Sequence, residues 1–198
     1  MFVTFEGLDG SGKTTQVERL RRHLEAAGRE VVVTREPGGT ELGERLRELL
    51  LHGPQMSPWA EAALFAAARA ELVERVIVPG RERGADVLCD RYVDSSLAYQ
   101  GIARGLGVDA VLELNLAAVQ GVMPDRTFLL LVDPARAARR TGRNRDRIER
   151  EDDAFRARVD AAYRELAERF PERIVPVDGN GSAEEVADLV RGELQLVT

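Results

Sequence analysis

The chain alternates short, dense apolar runs with longer stretches in which apolar residues recur every three or four positions. Runs of the first kind read as buried strands and stretches of the second as amphipathic helices. Phe2-Val3-Thr4-Phe5 is the first short run, and over 14–27 the residues Val17, Leu20 and Leu24 fall on one helical stripe. Residues 30–34 read as a second strand, and Pro37-Gly38-Gly39 breaks the pattern as a loop. Thr40 is placed to cap a helix through about residue 51, and Ser57-Pro58 to open a long helix reaching about residue 78. A third strand is predicted over 85–89, ending at Asp90-Arg91-Tyr92. A short helix over 95–99 and a glycine-rich stretch over 101–107 follow it. The spacing then predicts a helix over 109–120 and strands over 126–132 and 173–177. Ser182-Ala183-Glu184-Glu185 is a capping box for a last helix. Strand and helix in alternation predict a three-layer α/β/α fold around a five-stranded, mostly parallel sheet.

Length and charge narrow the options. The 198 residues suffice for one α/β domain and not for two large ones, so a single domain over 1–198 is expected. No apolar run approaches the ~18 residues of a membrane span, and no secretory leader is visible. A cytoplasmic protein without a membrane partner is therefore expected. A net charge of −6 argues against a nucleic-acid-coating surface. The one cysteine, Cys89, lies within Val87-Leu88-Cys89 and reads as a small core residue. His23 and His52 fall in helical patterns away from any cluster and read as surface residues.

Chemistry enters with lysine. Of the 28 basic residues only Lys13 is not arginine, and it sits in Gly7-Leu8-Asp9-Gly10-Ser11-Gly12-Lys13-Thr14. That run fits G-x-x-x-x-G-K-[ST], the phosphate-cradling P-loop, between a strand and a helix as the motif requires. The loop needs a compact ammonium among backbone N–H groups, where a planar guanidinium is too wide. The amides from Gly10 to Thr15 are expected to cradle the donor β-phosphate, Lys13 to neutralise the β- and γ-phosphates, and the Thr14 hydroxyl to hold Mg²⁺. Asp90, closing an apolar strand, is positioned to orient a metal-bound water.

The class follows by elimination. A guanine-reading Asn-Lys-x-Asp motif needs a lysine outside the P-loop, and there is none. Large motor ATPases need more chain. Between Arg136 and Arg150, seven of 15 residues are arginine, around Gly142 and Asn144. Cations this dense repel one another without an anion, so a mobile lid over about 140–151 that closes on phosphates is expected. A small P-loop kinase acting on a small acceptor fits best. A nucleotide-binding protein with little turnover is the other class that remains at this point.

Longer motifs are more specific. The run from Phe5 to Gln16 resembles the P-loop of bacterial thymidylate kinases. So do Thr34-Arg35-Glu36-Pro37-Gly38-Gly39-Thr40 with Gly43-Glu44 and Leu46-Arg47, the Leu64–Ala70 run, and Asp90-Arg91-Tyr92 through Ser95–Gly101. The resemblance implies transfer of the ATP γ-phosphoryl group to dTMP, giving dTDP, by what is usually a homodimer. It implies that Arg91 and Arg35 hold the acceptor phosphate, with Pro37 and Arg47 in the same site. Phe65 would stack on thymine and Arg69, one turn on, would donate to its O4. Ser96 and Gln100 would contact the base, and Tyr99 would pack under the sugar. Asp9 would lie near the sugar 3′-hydroxyl and the metal, while Gly7, Leu8 and the rest of the loop would bind ATP. The residue after Asp9 is Gly10, where the family's other subtype carries a basic residue. The missing charge would then come from the lid, with Arg143, Arg145 and Arg147 as candidates. Arg139 or the Asp178-Gly179-Asn180 turn would flank the adenine.

Overall fold

The structure is a computed structural model that describes residues 1–140 and 146–195. Its strands are β1 (Phe2–Glu6), β2 (Val31–Arg35), β3 (Asp86–Asp90), β4 (Arg126–Leu131) and β5 (Ile174–Asp178). They form one sheet in the order β2-β3-β1-β4-β5, and every pairing is parallel. The expected five-stranded sheet is therefore present.

The pleat of β1 divides the core. Phe2 faces one layer with Val87, Cys89 and Leu129, beneath helices α3 (Pro58–Leu72), α6 (Val108–Ala118) and α8 (Asp153–Arg169). Val3 and Phe5 face the other with Leu88, Phe128 and Leu130, beneath α1 (Lys13–Ala26) and α9 (Ala183–Gln195). This alternation is the period of two that a strand imposes. Cys89 is fully buried and unpaired, a core residue as its run predicts. Both histidines are exposed.

Caps fall where the sequence places them. Thr40 accepts from the Gly43 amide at 2.9 Å to open α2 (Glu41–His52). Ser182 and Glu185 exchange bonds of 3.2 and 2.7 Å to open α9. Two departures are physical. The long helix from Pro58 does not stop near 78. It passes through a π-helical turn, Val73–Ile77, into α4 (Val78–Glu82). Pro79 lacks an N–H and its ring crowds the carbonyl four residues back, and a widened turn relieves that clash. A second π turn, Leu97–Ala103, extends the short helix α5 (Val93–Ser96) and carries Tyr99 and Gln100. The other departure is α8, whose N-terminus Asp152 caps by accepting from Phe155 N at 2.7 Å. Its apolar residues Phe155, Val159, Ala162, Tyr163 and Leu166 recur at helical spacing among arginines and acids, a stripe that the sequence does carry. Helix α7 (Pro134–Arg140), in the arginine-rich stretch, holds only Pro, Ala and Arg and so carries no such stripe.

Leu72 is fully buried in the larger core layer. Leu72→Ala should lower unfolding free energy by about 2–5 kcal/mol, read as a shift in urea midpoint at constant m-value. A loss under about 1 kcal/mol would mean the layer collapses around the missing side chain.

Candidate active site

The parallel register sets β1 and β3 side by side at their C-terminal ends, with Phe5 opposite Asp90. The amide of Arg91 donates to Phe5 O at 2.9 Å, which fixes where both strands let go. Ligands of open α/β sheets bind at this edge. The P-loop leaves β1 here. Gly12, at φ 100°, caps α1 in a left-handed conformation that a Cβ would strain. A Cβ on Gly10 would sit 2.3 Å from Ala137 O, so only glycine lets α7 lie against the loop.

Lys13 is buried and its Nζ donates to Gly7 O at 3.1 Å and Leu8 O at 3.0 Å. Burial, with Arg91 nearby, pulls its pKa below the ordinary lysine value against the pull of Asp9, Asp90 and Glu6. The Thr14 hydroxyl donates to Asp90 Oδ2 at 2.7 Å, which brings the two expected metal-site residues together. Among the described residues no group of three or more His, Cys, Asp or Glu forms a ready-made metal cage.

Arg91 is the centre of the site. Its backbone is left-handed, φ 69°, a conformation that costs a non-glycine residue energy and is found where geometry is functional. Its Nη2 donates to Asp9 Oδ1 at 2.5 Å, and its Nη1 to Ser95 Oγ and Tyr163 Oη at 3.1 Å each. Burial pushes the Asp9 pKa up, but Arg91 and Lys13 outweigh it and hold Asp9 below the usual carboxylate range. Behind them Glu6 is wholly buried. It accepts from Tyr92 N at 2.8 Å, Ser95 Oγ at 2.6 Å and Tyr163 Oη at 2.8 Å. Burial raises its pKa, opposed by Arg91.

Two cavities open from this centre. The larger, about 540 Å³, holds the P-loop from Asp9 to Gln16 and extends to Gly179 and Gly181. Arg35 lines it, held by Glu44 at 3.1 Å. The smaller, about 150 Å³, is walled by Phe65, Ser96, Tyr99, Gln100, Pro37 and Leu51, among others. Asp9, Glu36, Arg47 and Arg91 line both. Arg47 donates to Pro37 O at 2.8 Å, and the Arg91 guanidinium lies 5.5 Å from the Tyr99 ring centre.

Not every expected residue lies where the pattern placed it. Arg69 is 1% exposed and lies outside the smaller cavity's lining. Its donors are taken by Glu36 at 2.6 Å, Ser96 Oγ at 3.2 Å, Tyr92 O at 3.1 Å and Asn115. Arg147 faces away from the P-loop cleft. It donates to Glu61 at 2.6 Å and Leu50 O at 2.8 Å, closing the end of α2. Arg139 is exposed, whereas its neighbour Arg140 lines the cleft and reaches Gly10 O at 3.4 Å. Arg143 and Arg145 lie outside the described residues. Sequence reasoning missed Glu6, Glu36, Glu61, Arg140 and Tyr163. Glu6 and Glu36 stand inside the quoted motifs, and an acid within an otherwise buried strand end is the signal that marks Glu6.

Fold and site together define a P-loop nucleotide kinase. A family model described as thymidylate kinase matches residues 5–190. A thymidylate kinase of Bifidobacterium longum is 48% identical over 98% of this chain and 97% of its own. One from an Exiguobacterium species is 48% identical over 96% and 92%. The crystal structure of thymidylate kinase from Ehrlichia chaffeensis superposes with a TM-score of 0.81 at 34% identity, covering 98% of both chains. The chain belongs to the thymidylate kinase family. It phosphorylates dTMP to dTDP with ATP as the phosphoryl donor.

Glu36 gives the site a pH signature. Burial raises its pKa from 4.5 to about 7, although Arg69 pulls the other way. The folded protein thus binds this proton more tightly than the unfolded chain. The group's contribution to stability is full below its unfolded pKa and is lost as pH rises through about 7. Between about pH 5 and pH 8, the fall in melting temperature should be shallower in Glu36→Gln than in the parent. Equal slopes would show that Glu36 is ionised throughout.

Proposed function

We propose that the two cavities hold the two nucleotides with their phosphates meeting at Arg91. The observation that carries this reading is the shared wall: Asp9, Glu36, Arg47 and Arg91 border donor and acceptor cavities alike. ATP lies with its phosphates on the amides of Gly10, Ser11, Gly12, Lys13, Thr14 and Thr15, with Gly7 and Leu8 shaping the loop. Its adenine extends toward the 178–180 turn, with Arg139 on α7 as a flanking residue.

The acceptor phosphate rests on Arg91 and Arg35, with Arg47 beside them, since guanidinium forks match phosphate oxygens. Thymine stacks on Phe65 with its edge toward Ser96 and Gln100, and Pro37 closes the wall. Arg69 supports that edge from behind, through Ser96 and Glu36. Tyr99 lies under the sugar, in the space a 2′-hydroxyl would need, and Asp9 sits beside the 3′-hydroxyl. The acceptor phosphate is itself an anionic nucleophile, so no strong base is required. Positioning and charge neutralisation by Lys13 and Arg91 do the chemical work.

Thr14 and Asp90 offer paired hard oxygens at the cleft, the donor type that Mg²⁺ takes when phosphate and water complete its shell. When bound there, Mg²⁺ neutralises charge on the β- and γ-phosphate oxygens. The arginine-rich segment 140–151 is a lid of the single 1–198 domain. Arg143 and Arg145 are its candidates for the transferring phosphoryl group, Arg140 joins it to the P-loop, and Arg147 anchors its far end on Glu61. A homodimer is supported by Leu49, Trp59 and Leu116, exposed on the neighbouring helices α2, α3 and α6. The enzyme works in the cytoplasm, where its nucleotides are.

Saturating dTMP without ATP should raise the melting temperature, because the acceptor cavity is a site of its own. In Arg91→Ala that shift should vanish and kcat/KM for dTMP should fall at least about a hundredfold. A full dTMP-induced shift in the variant would remove Arg91 from the acceptor site.

A further inference from the structure

Glu61, on α3, is 1% exposed and borders neither nucleotide cavity. Four donors converge on it. Gln100 Nε2 donates to Oε1 at 2.8 Å and Arg147 Nη1 to Oε2 at 2.6 Å. Arg104 spans both oxygens at 3.2 and 3.3 Å. Burial pushes the Glu61 pKa up, but Gln100, Arg147 and Arg104 together hold it below the usual carboxylate range. The group is therefore a carboxylate, which accepts hydrogen bonds and donates none.

This decides which end of Gln100 meets the ligand. A glutamine amide can present either an NH₂ donor or a carbonyl acceptor, and its partners select the orientation. Glu61 commits the NH₂ end, so the carbonyl Oε1 is the end left for the acceptor cavity, which Gln100 lines. Thymine and uracil carry a donor at N3, whereas cytosine carries an acceptor there. An acceptor facing N3 pairs with the first two and opposes the third.

We propose that Glu61 is a specificity-determining positioning residue. By fixing the Gln100 amide it presents an acceptor to the N3–H of the base and excludes cytosine nucleotides. The proposal rests on the reading that Gln100 faces the base. The arginines serve it as well, since their two charges keep Glu61 ionised, and Arg147 ties it to the edge of the arginine-rich segment. Discrimination against a mismatched polar edge is strong, because the site's own buried group is then left unpaired.

The test is kcat/KM for dTMP, dUMP and dCMP in the full-length enzyme and in Glu61→Gln, Glu61→Asp and Gln100→Leu. Glu61→Gln adds a donor beside Gln100 and frees its amide to turn. Glu61→Asp keeps the charge for Arg104 and Arg147 and shortens the reach to Gln100, so it remains informative if Glu61→Gln does not fold. The dTMP-to-dCMP ratio should fall at least about tenfold in both Glu61 variants. The dTMP-to-dUMP ratio should stay unchanged, because both bases carry N3–H. Loss of all three activities in equal proportion would overturn the proposal and leave Glu61 a purely structural anchor. An unchanged dTMP-to-dCMP ratio in Gln100→Leu would instead overturn the placement of the base against Gln100.

Discussion

The ion pair between Arg91 and Asp9 joins the two halves of the site, and most of the surrounding structure exists to hold it. Asp9 belongs to the loop that follows β1 and Arg91 to the turn that follows β3. They meet because those strands are neighbours in parallel register and end together. The left-handed backbone at Arg91 would relax elsewhere. Here it is held by a main-chain bond to Phe5 and by Ser95 and Tyr163 on its guanidinium. Glu6 in turn holds Ser95 and Tyr163, so α8, which packs on the same face of the sheet as the Ser95 helix, helps aim the arginine.

Charge is handled in layers. Glu6, Glu36 and Glu61 are buried acids, and each has an arginine within 4.0 Å. Removing one partner of such a pair leaves an uncompensated buried charge, which is far costlier than losing a surface contact. The second layer therefore resists rearrangement while the first, Arg35 and Arg47 among them, stays exposed enough to take phosphate. A site prearranged in this way need not reorganise as charge shifts in the transition state.

Much of this was legible in the sequence, for particular reasons. The lone lysine and its glycines located the P-loop because few other residue types can line a phosphate nest. The strands were legible because each is a dense apolar run, and the caps at Thr40 and Ser182 because capping is local chemistry. Helix α8 was legible in principle, because Phe155, Val159, Tyr163 and Leu166 recur at helical spacing, but it lacks the dense apolar run that marks each strand. The π turns were not, since they answer to Pro79 and to packing rather than to periodicity. Arg69 shows the limit most clearly. Its spacing from Phe65 placed it on the correct helix face, but spacing carries no information about depth, and Glu36, Asn115 and Tyr92 arrive from distant segments to claim its donors. Arg147 was misdirected in the same way, toward phosphate by composition and toward Glu61 by the fold.

The central claim is that donor and acceptor lie in adjoining cavities, so that the phosphoryl group passes directly between them across Arg91. A bisubstrate compound, adenosine and thymidine joined by a chain of phosphates, tests this most directly by titration calorimetry. One molecule should bind per chain, with binding of both ATP and dTMP abolished in its presence. Undiminished dTMP binding to protein saturated with the compound would contradict it.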